Sequence, residues 1–266
     1  MKPITTLDQY VELTSRYGVK GCRSNNYLLP AEAQRLIGEG KLFATQGRHN
    51  ACFLIPNAAC WRVYYHLNDL AEPVELPNDN YVIEVLFRGN QLPDDEVNYW
   101  QENGFTLNLV RDNYEAKYSQ LSALSTNDSV LVDAAPTIED ARWAAELFNN
   151  TFDHFSGDFI ADEQIEPLFA EKQLLVARVN NQLAGALHFY EKNRRYWIGH
   201  VAVSESSRGN HVGGSLVNHY IAHCHVDDNT RYALWVQRLN QAAVSMYQAC
   251  GFKYTNRSSL SLIKQK

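Results

Sequence analysis

The residues best suited to chemistry lie in one segment, His200-Val201-Ala202-Val203-Ser204-Glu205-Ser206-Ser207-Arg208-Gly209-Asn210-His211-Val212-Gly213-Gly214-Ser215-Leu216. An apolar strand passes through a polar loop and a glycine-rich turn into an amphipathic helix. A helix start leaves backbone N–H groups without acceptors and carries the positive end of the dipole. Glycines let an anion approach the backbone closely, and Arg208 adds fixed positive charge. The segment fits a diphosphate. It also fits an ordinary strand–turn–helix connection that uses glycine for tight packing, and the segment alone leaves both readings open. His211, His219, His223 and His225 cluster nearby, and His219 and His223 have the i, i+4 spacing of a metal pair. On the helix wheel His223 falls inside the edge of the apolar arc and His225 points nearly opposite. No metal site is expected, only partly exposed helix histidines.

The elements that must hold this segment follow from the pattern. Gln120 to Asp128 (QLSALSTND) is a small polar stretch and the candidate boundary, giving domains 1–127 and 128–266. After it, Val130–Val132 is apolar, and Thr137 with Asp140 three residues on signals a helix over 138–152. A short helix is expected over 162–170. Strands follow over 174–179, 183–190 and 196–203, with turns at Asn180-Asn181 and Lys192-Asn193-Arg194. The glycine-rich loop then leads to a helix near 211–225. There Val212, Leu216, Val217, Tyr220, Ile221 and Cys224 share one arc. A strand over 232–237, a helix over 241–250 and a strand from Phe252 complete the chain. The expected class is α/β with a mixed, mostly antiparallel sheet flanked by helices.

The first half echoes this plan. Lys41–Ala44 aligns with Leu174–Ala177, and at the same offset Ala51, Leu54 and Arg62 meet Ala184, Leu187 and Arg195. Tyr99-Trp100-Gln101-Glu102-Asn103-Gly104-Phe105 echoes Met246-Tyr247-Gln248-Ala249-Cys250-Gly251-Phe252. The kept order and spacing favour a duplicated domain, and two domains sharing common patterns by chance is the other reading. Where the second half has its glycine loop and helix, the first has only Asn68–Asn80 (NDLAEPVELPNDN), without glycine. A duplicated first half would therefore lack the anion-binding element.

A second segment narrows the choice. Leu234-Trp235-Val236-Gln237-Arg238-Leu239-Asn240-Gln241-Ala242-Ala243 leads to Met246–Phe252. Together the two segments resemble the GNAT superfamily of acyl-CoA-dependent N-acyltransferases. Arg208, Gly213 and Gly214 fit its R/Q-x-x-G-x-G/A pattern, and Asn240, Ala243, Tyr247, Gly251 and Phe252 fit its later spacing. The resemblance covers roughly 128–266 and makes the first half a degenerate tandem copy. One departure stands out: His211 replaces the first glycine of the loop. An ordinary helix-start φ there would leave the loop working. A need for close backbone approach would let a Cβ push a phosphate away.

The resemblance implies acetyl-CoA as co-substrate and no metal. It implies that the amides of Gly209, Asn210, His211, Val212, Gly213 and Gly214 hold the diphosphate with Arg208. It further implies that Val201 and Val203 offer backbone groups to the pantetheine arm, with Val201 N–H on the thioester carbonyl, and that Asn240 belongs to the coenzyme site. Amine attack on a thioester needs a neutral amine, although an alkyl ammonium has a pKa of about 10.4. It also needs an acid for the leaving thiolate. Tyr247 stands where the family has that acid, and packing alone is the other reading of it. Family members carry a strand Glu four residues before the match to Val203, which is Gly199 here. His200 is the nearest titratable group, as base or as core histidine. The matched residue in the first half is Trp100, which cannot supply an acidic proton. Asp153, Asp158, Asp162 and Glu163, with Phe152, Phe155 and Phe159, lean the reading toward a cationic amine acceptor. A solvated loop is the alternative.

Composition sets the outer limits. The chain has 266 residues, 45% hydrophobic and 20% charged, with net charge −6. That is globular, and a nucleic-acid partner would favour a basic surface. Five cysteines without C-x-x-C spacing argue against a disulfide framework and fit a reducing cytoplasm. The N-terminus lacks an apolar signal core, and no run reaches 18 apolar residues, so no membrane partner is expected. The expected reaction is acetyl transfer from acetyl-CoA to a primary amine in a ternary complex. A coenzyme-binding sensor or structural module and a tandem-domain aminoacyl transferase are the rivals. A homodimer is left open.

Overall fold

The computed structural model describes residues 1–57, 59–155 and 159–266. The chain packs as two compact units, 1–110 with 258–266, and 111–257. Composition puts the division at 127/128, whereas packing divides the chain at 110/111 and 257/258, inside two strands.

The first unit runs β1 (Lys2–Pro3), α1 (Leu7–Tyr17), β2 (Arg23–Ser24), α2 (Pro30–Gly38), β3 (Phe43–Gln46), β4 (Asn50–Pro56), β5 (Trp61–Leu67), β6 (Tyr81–Arg88) and α3 (Asp94–Glu102). β7 (Thr106–Lys117) begins in it. Its strand order is β1-β3-β4-β5-β6, with β2 on β5. Trp100 is fully buried among Tyr65, Tyr99 and Phe105.

The second unit continues with β8 (Val130–Ala134), α4 (Ile138–Thr151), α5 (Asp162–Ala170), β9 (Leu174–Val179), β10 (Gln182–Lys192), β11 (Arg195–Val203), α6 (Val212–His223), β12 (Arg231–Gln237), α7 (Gln241–Cys250) and β13 (Lys253–Lys264). Its order is β7-β12-β11-β10-β9-β8, antiparallel except for β11 with β12. Thr137 Oγ1 accepts from Asp140 N (3.2 Å), while Asp140 accepts from Thr137 Oγ1 (2.9 Å) and pairs with Arg178 on β9. That cap starts α4 and ties it to the sheet. Both hairpin turns, Asn180-Asn181 and Asn193-Arg194, have two positive φ values (50° and 62°; 54° and 57°). These are the values of a tight turn that matches strand twist. α6 and α7 cover one sheet face, and α4 and α5 cover the other.

The two units repeat one order of elements. From β3 to α3 the first unit matches β9 to α7, with α1 and α2 in the places of α4 and α5. The chain turns after α3 at Gly104 (φ 84°) and after α7 at Gly251 (φ 103°). A Cβ at Gly251 would lie 2.3 Å from Gln120 O, so only glycine fits there. No helix stands between β5 and β6, where the second unit has α6. The strand over 106–117 is an element the sequence pattern does not announce. Among the described residues, no helix is long and apolar enough to cross a membrane.

Candidate active site

The site grows from a parting of strands. β11 and β12 pair in parallel only over Tyr196–Ile198 and Tyr232–Leu234, and beyond these pairs they separate. Ser204 N–H donates to Ala184 O on β10 (2.9 Å). Alternate residues of an antiparallel strand point their amides the other way. The N–H groups of Val201 and Val203 therefore face the gap toward β12.

The loop after β11 leads into the start of α6. Gly209 has φ 83°, and His211, the residue before the helix, has φ 61° and ψ 14°. This answers the question left by the sequence: position 211 is left-handed, the conformation glycine supplies most cheaply. Histidine is among the few other residues enriched there. Its imidazole is exposed and makes no cap to the helix. Among the described residues nothing accepts from the amides of Gly209, Asn210, His211, Val212, Gly213 and Gly214, and regular bonding resumes with Ser215 N to His211 O (3.0 Å). Val212 turns its side chain into the core, so only its amide faces the loop. Asn210 Nδ2 bonds Ser207 O (3.4 Å). Arg208 is 64% exposed and only 3.7 Å from a nearly bare Glu205, a contact worth little in water. The two helix glycines have different neighbours. A Cβ at Gly213 would make an ordinary 3.5 Å contact with Met246 Sδ, whereas one at Gly214 would press to 3.1 Å on Ser125 O. Gly214 makes room for the chain passing over α6, where Asn218 bonds Leu124 N and O (3.0 and 2.9 Å).

His200 lies on the opposite sheet face from Val201 and Val203, with its ring 5.1 Å from Phe148 and 5.3 Å from Phe152. Opposite it on β10 stands His188, which the sequence reading did not single out. The register jumps between His188↔His200 and Phe189↔Ile198, leaving Gly199 as the bulged residue. A Cβ at Gly199 would lie 2.6 Å from His188 Nδ1. The two imidazoles meet Nδ1 to Nδ1 at 3.1 Å. Burial, with His200 alongside, pushes the His188 imidazole down to about 3, so it is neutral at physiological pH.

Tyr247 is buried on α7, with its ring 5.8 Å from Phe252, and burial pushes its phenol well up. It is therefore firmly protonated at neutral pH. Asn240 Oδ1 accepts from Ala243 N (3.1 Å), capping α7. Arg238 forks onto Asp112 of β7 (2.7 and 3.0 Å) and pins the end of β12. Cys250 is fully buried, its thiol pushed up to about 11, which is no setting for an acyl carrier. His219 and His223 stack at 6.4 Å. Among the described residues no group of three or more His, Cys, Asp or Glu is placed to hold a metal. Asp162 and Glu163 fall in the first turn of α5, where the dipole favours them. Asp162 also joins Glu146, Glu166 and Arg142 around a cleft of about 530 Å³. Phe159 packs on His154 (5.2 Å), and Phe155 N bonds Asp153 Oδ1 (3.1 Å). Asp158 lies outside the described residues.

The same parting occurs in the first unit and is filled. β5 and β6 pair in parallel only over Trp61–Val63 and Tyr81–Ile83. β2 then pairs along β5 (Arg23↔Leu67, Ser24↔His66). The buried Asn25 donates to Val63 O (3.0 Å) and Glu84 O (2.9 Å) and accepts from Tyr65 N (2.7 Å). One side chain satisfies both parted strands, and no helix start stands beside them.

Solved structures share this architecture. A GCN5-related N-acetyltransferase from Sphaerobacter thermophilus aligns with TM-score 0.56 at 12% identity, over 81% of this chain and 76% of its own. A tandem GNAT protein from the clavulanic acid biosynthesis pathway aligns with TM-score 0.54 at 12% identity, over 98% and 97%. An acetyltransferase of the GNAT family from Colwellia psychrerythraea gives 0.52 at 14%, over 100% and 99%. At such identities the likeness concerns the fold. No curated protein matches the chain. The model of the acetyltransferase (GNAT) family matches residues 140–252, the stretch that holds the parted strands, the loop and α6. Residues 140–252 thus match the GNAT acetyltransferase family model, and the chain as a whole shares the fold of a tandem GNAT protein.

Proposed function

We propose that the second unit transfers an acetyl group from acetyl-CoA to a primary amine, by direct attack in a ternary complex. The observation that carries this reading is the row of six unpaired amides from Gly209 to Gly214, set beside the Val201 and Val203 amides at a parted pair of strands. Such a row at a helix start suits a diphosphate. The space over Gly209, where a Cβ would meet nothing within 4 Å, leaves room for it. Acetyl-CoA supplies the activated acyl group. Arg208 and the loop amides hold its diphosphate, and Val203 holds the pantetheine arm. Val201 N–H donates to the thioester carbonyl, a contact worth roughly 2.7–4 kcal/mol where such a donor has been removed elsewhere. Asn240 supports the coenzyme side by fixing the start of α7. His200 takes the proton of the attacking amine, and Tyr247 holds the proton the leaving sulfur needs. Asp153, Asp162 and Glu163 favour a cationic acceptor. Five free cysteines suit the reducing cytoplasm.

Thiol release from acetyl-CoA against a panel of amines, amino acids and peptides tests the reading. Turnover with a primary amine should fall sharply in Tyr247→Phe, with acetyl-CoA affinity little changed. Silence across the panel, with no acetyl-CoA binding by calorimetry, would overturn it.

A further inference from the structure

We infer that the first unit holds a small free α-amino acid, with the Arg62 guanidinium on its carboxylate and the Glu84 carboxylate on its ammonium. This goes beyond the acetyl-transfer reading and does not depend on it. The place is a recess of about 130 Å³ beside the buried Asn25, walled by Leu28, Val63 and Leu86 with Arg62 and Glu84. It lies where the strands part. Arg62 stands opposite Val82 in the β5–β6 ladder, which ends at Val63↔Ile83. Glu84 is two residues on from Val82, and residues two apart on a strand share a face. The two side chains are thus neighbours on one sheet face, and both are half-buried. Among the described residues neither makes an ion pair or a side-chain hydrogen bond, with the other or with any third residue. At the matching ladder positions of the second unit stand Trp197 and Trp235, so the charges belong to the first unit alone.

A charge drawn partway out of water without a partner is costly, and a ligand of opposite charge offsets that cost. A ligand bearing one sign would satisfy one of these residues and stand beside a like charge on the other. An α-amino acid carries both signs on one carbon. Its carboxylate suits the fork of an arginine. Leu28, Val63 and Leu86 leave an apolar wall for its side chain. The recess equals the volume of about four liquid waters, which admits a small aliphatic amino acid and excludes a peptide or a nucleotide.

The test is an NMR titration of the full chain with glycine, L-alanine, L-valine and L-leucine to millimolar concentration. At least one should saturate, with the largest amide shifts around Arg62 and Glu84. The same carbon skeleton without its amine, or without its carboxylate, should bind about tenfold more weakly or worse. Arg62→Gln and Glu84→Gln should each lose about as much. No saturation by any of the four, or both variants binding as tightly as wild type, would overturn the inference. So would an acid or amine analogue that binds as tightly as its amino acid, because one of the two charges would then do nothing. That comparison uses the wild-type chain alone and still decides if a variant misfolds.

Discussion

His211 stands at a left-handed backbone position, φ 61°, where the pattern the sequence resembles has glycine. A left-handed non-glycine residue costs about 1–2 kcal/mol, and glycine at such a site returns part of that cost to unfolded-chain entropy. His211→Gly should therefore stabilise the second unit by about 0.5 kcal/mol and leave acetyl-CoA affinity equal or tighter. His211→Val, β-branched at φ 61°, should cost about 2 kcal/mol and weaken binding. Urea unfolding and calorimetry read both, and a destabilised glycine variant would show that the imidazole holds the loop. His188 makes a second claim at this scale. The unfolded chain protonates it near pH 6.5, and the fold refuses that proton until about 3. The unfolded state binds more protons between those values, so stability falls as pH drops from 6.5 toward 3. At about 1.4 kcal/mol per unit, this histidine accounts for up to about 4 kcal/mol of the loss. His188→Asn should flatten the fall measured by urea unfolding at pH 7 and pH 4.5, and an unchanged slope would contradict the burial argument.

At the scale of elements, the bulge at Gly199 is the sharpest commitment. Gly199→Ala should cost about 1–3 kcal/mol and lower kcat, because the new Cβ must displace the His188 ring. A variant as stable and active as wild type would show that the bulge yields freely. Much of this layer was legible in the sequence. Thr137-x-x-Asp140, the Asn180-Asn181 turn, the glycine loop and the apolar arc of α6 are local signals, and local physics places them. The pairing of His188 with His200 was not legible, because which residues face each other across β10 and β11 depends on a bulge that no composition rule locates. For the same reason Gly199 reads in the sequence as a missing carboxylate, whereas in the fold it makes room for an imidazole. The strand over 106–117 lacks a clean alternation, and its residues 111–117 are held by pairing with β12.

At the scale of the molecule, the two units repeat one order of elements, and only the second has a helix between its parted strands. The repeat was readable from the match of Tyr99–Phe105 to Met246–Phe252, and the bare 68–80 connection marked where the two halves differ. The filling of the first parting was not, because Asn25 is one asparagine among many until Val63, Tyr65 and Glu84 converge on it. Asn25→Leu should strand two buried carbonyls and an amide and cost about 2–4 kcal/mol by denaturant unfolding. The chain should still bind acetyl-CoA once, since the first unit offers no helix start between β5 and β6. A loss under 0.5 kcal/mol, or a second coenzyme bound, would contradict this reading of the first unit. The central claim is the diphosphate cradle, and a crystal structure of the whole chain grown with acetyl-CoA tests it most directly. Phosphate oxygens should sit within hydrogen-bond distance of the amides from Gly209 to Gly214, with the acetyl carbonyl on Val201 N–H. A coenzyme bound elsewhere, or none at millimolar concentration with those amides turned inward, would contradict it.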